Sequence, residues 1–124
     1  MSNFEENDAV WIENFKYWQN KKLYLELMER FINEKIDGRQ FDIEFCQIWR
    51  VDRDRTYSSE ELLDIAEHVD LTKFIGFSNL MSKLFTDCDV FQPDSALRKY
   101  YELSEEELKN CVKKTLLEIK NCYP

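Results

Sequence analysis

Glycine and proline are scarce, two of each in 124 residues, and no alternating strand-like pattern is sustained anywhere in the chain. With so few natural turn points, long helices are expected. Histidine occurs once, at His68, so a three-histidine zinc centre and a pair of Glu-x-x-His motifs are excluded. The cysteines Cys46, Cys88, Cys111 and Cys122 are widely spaced and contain no C-x-x-C pair. Zinc-ribbon and dithiol redox chemistry therefore lack their signature, and reduced, mostly buried thiols are expected. Nucleophile-elbow, Walker and dinucleotide-binding motifs are also missing, so no catalytic residue, metal or cofactor is predicted. No apolar run is long enough for a bilayer. The segment Met1 to Asp8 is acidic and lacks both the basic and the apolar region of a secretory signal, from which a cytoplasmic location is expected.

Large apolar anchors are plentiful: nine Phe, six Tyr and three Trp within a chain that is 44% hydrophobic. That composition excludes intrinsic disorder and suits one domain over residues 1–124, with a core that needs no disulfide or metal staple. Charge is the other surplus. Seventeen Lys and Arg against twenty-five Asp and Glu leave a net charge of −8, a field that repels phosphate backbones and anionic lipids. Neither nucleic acid nor a membrane is an expected ligand. A basic protein is, with association accelerated by steering and weakened by salt.

Helical periodicity organises the apolar residues. The first stripe, Trp11, Phe15, Trp18, Tyr24, Leu27, Met28, Phe31, Ile32 and Ile36, predicts a long helix from Asp8 to Ile36 with a break near Asn20-Lys21-Lys22. Asp37-Gly38 is the predicted stop, with Gly38 in the left-handed conformation. A second helix from about Arg39 carries Phe41, Phe45, Ile48 and Trp49, and the charged run Arg50 to Arg55 is expected to be its exit and a solvated loop. Ser58 and Glu61 form a capping box that opens a third helix running to about Cys88, with a kink near Asp70 or Gly76. Phe91-Gln92-Pro93-Asp94 ends it, Asp94 caps a short turn through Arg98, and a second capping box at Ser104 and Glu107 opens the last helix. Such stripes bury one another most economically in an all-α, antiparallel four-helix bundle.

The acids are unevenly distributed. From Asp87 to Glu107 seven acids face only Arg98 and Lys99. Glu105, Glu106 and Glu107 suit a helix N-terminus, whose dipole favours negative charge. Asp87 and Asp89 sit where a helix ends and the dipole disfavours them, which points to an external partner. Three other readings are weaker. Trp11, Trp18 and Trp49 could line a cofactor pocket, but large aromatics at helical spacing usually form core. His68, between Glu67 and Asp70, fits a surface position without catalytic duty. Paired carboxylates for acid-base catalysis arise by chance in so acidic a chain.

The residues also resemble a known family, the colicin D immunity proteins, bacterial self-protective inhibitors, over roughly residues 22–120. One carrier is Leu27 to Ile36 followed by Phe41, Glu44-Phe45 and Trp49-Arg50. A more specific one is Leu84-Phe85, the short acidic stretch Thr86 to Val90, then Phe91-Gln92-Pro93-Asp94 with Arg98 downstream. Leu103 to Leu108 with Val112 resembles the closing helix. Residues 1–20 have no counterpart and are expected to extend the bundle or add a partner contact. The resemblance implies a non-enzymatic helical bundle that binds a tRNA-cleaving nuclease toxin and occludes its basic site, its carboxylates imitating the charge of RNA. It implies partner-binding roles for Asp87, Asp89, Phe91, Gln92, Asp94 and Arg98. Asp89 and Asp94 match toxin-contacting acids; Gln92 stands where a family member has Glu, and Asp87 is the nearby acid that could compensate. A monomer in a 1:1 complex is expected. The alternative is an acidic adaptor for a different basic partner.

Overall fold

A computed structural model describes residues 13–68 and 71–124, with side chains 66–72 outside the description. The long first stripe does break: residues 13–18 are helical, Gln19 and Asn20 turn, and α1 runs Lys21–Ile32. The remaining helices are α2 (Gly38–Arg53), α3 (Ser59–His68), α4 (Leu71–Asp89) and α5 (Glu105–Cys122). The described residues are thus all-helical apart from a lone parallel bridge between Phe91 and Leu103. The single third helix of the sequence reading is two helices, α3 and α4. The kink expected near Asp70 and the side chain of His68 lie outside the described residues.

The core follows the predicted stripes. Tyr24, Leu27, Met28 and Phe31 from α1, Phe41 and Phe45 from α2, Phe77, Met81 and Leu84 from α4, and Leu108, Val112 and Ile119 from α5 are all essentially inaccessible to solvent. Fully burying each such side chain contributes roughly 1.5–3 kcal/mol. Accordingly α1 packs on α2 and α5, and α4 also packs on α2 and α5. Phe15 and Phe74 form a smaller cluster with Trp18, Tyr57 and Ile65. Trp49 packs among other aromatics: its ring stacks on Phe85 with centroids 4.0 Å apart and on Tyr17 at 5.6 Å.

Two predicted ends are corrected. α1 ends in a Schellman motif, with the Glu34 N–H donating to the Phe31 carbonyl at 3.1 Å and the Lys35 N–H to the Arg30 carbonyl at 2.9 Å. The left-handed residue is Glu34, at φ 60°, not Gly38. Gly38 instead begins α2 behind the Asp37 cap. It is needed for close approach: a Cβ there would lie 2.7 Å from Phe91 Cζ and 2.8 Å from a Glu105 carboxylate oxygen. The Gly38 N–H donates to that same carboxylate. Glycine at position 34 relieves a left-handed cost of about 1–2 kcal/mol and forfeits roughly half to one in chain entropy. Glu34→Gly is therefore expected to stabilise by about 0.5–1 kcal/mol, checked by urea denaturation.

α2 also outlasts its expected exit at Arg50 and continues to Arg53. The turn after Trp49 stays helical because Asp52 belongs to the interior. Its carboxylate is wholly buried and accepts hydrogen bonds from Asn20 Nδ2 at 2.6 Å and from the Tyr24 hydroxyl at 2.7 Å. Arg55 Nη2 closes the set at 3.3 Å. Burial, then the bond to Asp52, pushes the Tyr24 hydroxyl pKa far up.

Both capping boxes form. The Glu61 N–H donates to Ser58 Oγ at 3.2 Å and the Ser58 N–H to the Glu61 carboxylate at 3.1 Å. Ser104 and Glu107 repeat the pair at 3.1 and 3.0 Å. The backbone N–H bonds, then the serine hydroxyls, hold both glutamate pKa values below the ordinary 4.5. A carboxylate whose folded pKa is depressed supports folding above its unfolded pKa and loses that support as pH falls through the folded value. Stability is expected to decline on acidification below about pH 4.5, and Glu61→Gln with Glu107→Gln should flatten that decline in urea titrations at stepped pH.

Candidate functional site

The end of α4 and the segment that follows it are pinned at both ends. The Gln92 N–H donates to the Leu103 carbonyl at 2.8 Å and the Leu103 N–H to the Val90 carbonyl at 2.7 Å. Between these anchors residues 92–102 form a loop with adjacent ends, the arrangement of an Ω-loop. Asp94 caps its first turn as predicted, Oδ1 accepting from the Ala96 N–H at 2.9 Å while its carbonyl accepts from the Arg98 N–H at 3.0 Å. Arg98 clamps the loop from inside, with Nε donating to the Gln92 carbonyl at 2.8 Å and Nη2 to the Pro93 carbonyl at 3.1 Å. Gln92 turns inward too, Oε1 accepting the Asp94 N–H at 3.2 Å. Gln92 and Arg98, two residues the resemblance places at the partner surface, thus shape the loop.

Phe91 is half-buried above Gly38 and fixes the root of the loop against α2 and α5. Asp89 and Asp94 are exposed, and among the described residues neither carries an ion pair. Asp87 differs. Its side chain is 18% exposed, Lys83 Nζ lies 3.7 Å away, and Oδ2 is buried without a hydrogen-bond partner. It faces Cys111 of α5, whose thiol pKa is raised by burial first and by the Asp87 charge next. The expected triad of outward acids is thus a pair, with Asp87 turned back onto the fold.

Sequence reasoning missed an open groove of about 620 Å³ beside Asp89, between α2 and α4. Its walls include Asp42, Ile43, Arg50, Val51, Phe85 and Asp89. Ile43 and Val51 are more than half exposed. Two helical turns apart and off the buried Phe41–Phe45 stripe, they were the available signal. Burial pushes the Asp42 carboxyl pKa up; the Cys46 bond and Arg50 oppose this, and Asp89 adds to it.

Asp42, Cys46 and Cys88 bring a carboxylate oxygen and two sulfurs within 4.8 Å of one another. Three donors are one short of a closed structural zinc site. The Cys46 thiol already donates to Asp42 Oδ1 at 3.3 Å, and its bond to Cys88 together with burial pushes the Cys88 thiol pKa far up. Two of the three donors are thus already bonded to each other. The expectation of mostly buried cysteines holds only for Cys88; Cys46 and Cys111 are half-buried and Cys122 is exposed, all four reduced.

The site is thus an exposed acid at the end of α4 and a second on the pinned loop that follows it. The chain matches the family described as bacterial self-protective colicin-like immunity over residues 21–119, and it belongs to that family. It is also 28% identical over 112 residues to the inosose isomerases of Bacillus subtilis strain 168 and Bacillus licheniformis, covering 90% of this chain. This chain spans only about a third of the length of those enzymes. No solved structure matches. No described helix is long and apolar enough to cross a membrane.

Proposed function

We propose that this protein is a non-enzymatic immunity protein that binds a cognate bacterial ribonuclease toxin of the tRNA-cleaving type and covers its basic active site with the surface around Asp89 and Asp94. The mutual packing of α1, α2, α4 and α5 supports an antiparallel four-helix bundle as the scaffold. A nuclease holds phosphates with Lys, Arg and His, and fixed carboxylates can engage the same groups. The carrying observation is that Asp89, at the end of α4, and Asp94, on the ordered loop that follows, the two acids matched to toxin contacts, are exposed and, among the described residues, without ion pairs. Membership of the immunity family supports the inhibitory role. The proposed complex is 1:1 and cytoplasmic.

The product of the reading frame adjacent to this gene tests the reading. It is expected to be a basic nuclease whose RNA cleavage stops at one equivalent of this protein, with an association rate that falls steeply with salt. A neighbour without nuclease activity, or cleavage that continues in excess inhibitor, would defeat the inhibitory assignment and favour an acidic adaptor. The isomerase resemblance favours no enzymatic reading here: His68 is the one histidine in the sequence, and the thiol–carboxylate cluster is satisfied by its own hydrogen bonds.

A further inference from the structure

The 92–102 loop carries a second feature besides its acids. Leu97, Tyr100 and Tyr101 are 65%, 100% and 52% exposed, three large apolar side chains within five residues. The Tyr100 and Tyr101 rings meet edge to face with centroids 5.4 Å apart. Tyr101 also takes Lys99 Nζ 6.0 Å from its centroid. Tyr100, bare to solvent, contributes nothing to the core.

The backbone that presents these rings is held by the Gln92–Leu103 and Leu103–Val90 bonds, by the Arg98 clamp, and by the Lys99 N–H donating to the Glu102 carboxylate at 2.8 Å. Little loop entropy remains to be lost on binding. Exposed tyrosines on a preorganised loop are the side chains that most often anchor protein interfaces, since they bring large contact area with few torsions to freeze.

We infer that Tyr100, with Tyr101 and Leu97 beside it, is the apolar anchor of the partner interface, seated on a cationic protein surface next to the groups that meet Asp94. This rests on the toxin-binding reading above. The occupant follows from charge. Asp94 and Asp89 stand at the start and root of the same loop, and the electron-rich faces of tyrosine accept the Lys and Arg side chains that a basic cleft supplies. The acids steer and orient the partner, while the aromatic tip retains it.

The test uses the full-length protein and the purified product of the adjacent reading frame, made catalytically inactive, with calorimetry and stopped-flow association. Tyr100→Ala and the pair Tyr100→Ala with Tyr101→Ala are expected to weaken binding at least tenfold, through faster dissociation. The melting temperature and the salt dependence of the association rate should not change. Tyr100→Phe should bind nearly as wild type, because the ring carries the contact. Affinity within twofold of wild type for the double variant would overturn the inference. If Asp89→Asn and Asp94→Asn weaken binding while the tyrosine variants do not, the anchor is wrong and the acidic-surface reading stands. If the wild-type protein does not bind, both fall. A dimer of the free protein that Tyr100→Ala abolishes would reassign the patch to self-association and also overturn it.

Discussion

Asp52→Ala is expected to lower the folding free energy by about 3 kcal/mol, because it removes the carboxylate that accepts from Tyr24, Asn20 and Arg55. Tyr24 is completely inaccessible to solvent, and its hydroxyl would be left without a partner. Asn20 Nδ2 and Arg55 Nη2 lose the same acceptor. The damage would reach beyond α2. Asn20 sits in the turn between the helical segment at 13–18 and α1, and nearby Lys16 Nζ donates to the Arg53 carbonyl at 3.0 Å. Tyr24→Phe alone should cost about 2 kcal/mol, since it takes one hydrogen bond from a buried charged group but keeps the packing and the bonds from Asn20 and Arg55. The double variant Asp52→Ala/Tyr24→Phe should then be less destabilised than the sum of the singles, because the orphaned hydroxyl is gone. Urea denaturation of the four proteins completes the cycle; strict additivity would show that the carboxylate does not hold Tyr24 in the way described.

Asp89→Asn and Asp94→Asn are each expected to weaken toxin binding by about 2–5 kcal/mol if the carboxylate becomes buried against a toxin Lys or Arg, and by much less at the rim of the interface. Asparagine is the informative replacement at position 94. Its oxygen can still accept the Ala96 N–H, so the loop turn survives the loss of charge. Folding stability should shift by less than about 0.5 kcal/mol, as exposed acids contribute little to it. Asp87→Asn makes the contrast. With its carboxylate facing Lys83 and Cys111, it should leave binding nearly unchanged. Calorimetric titration of the three variants decides the matter: a large loss at Asp87 with none at Asp89 and Asp94 would move the interface to another face.

Much of the architecture was readable from local pattern. The Ser58–Glu61 and Ser104–Glu107 boxes formed as expected because a capping box needs only residues three apart. The stripes of α1, α2, α4 and α5 became the core because period 3.6 places them on one face wherever the helix packs. Asp94's turn was legible for the same reason. The third stripe was read as one helix with a kink near Asp70 or Gly76, whereas it forms two helices, α3 and α4, because a continuous apolar spacing does not by itself say where a helix stops. The inward turn of Asp87 was equally hidden, since its position near a helix C-terminus is shared with Asp89 and only the placement of α5 separates them. Gln92 and Arg98 matched a motif, and that Gln92 Oε1 and Arg98 Nε and Nη2 also bond the loop's own backbone was not legible from it.

The amino-acid order by itself determined that this protein is helical, acidic and built around aromatic stripes, and that its family motif lies where one helix gives way to a Pro-containing loop. Those properties follow from near-neighbour periodicity and net charge, which need no knowledge of distant contacts. Tertiary structure alone decided which carboxylates are available. Asp52 became interior because Asn20 and Tyr24, 32 and 28 residues away, arrive as its donors. Asp89 and Asp94 were left to solvent because the Phe91–Leu103 bridge pins the loop beside α2 without bringing a cation from the described residues into an ion pair with either of them. A carboxylate's fate depends on the donors and charges within a few ångströms, and in a folded chain most of those come from residues far away in sequence.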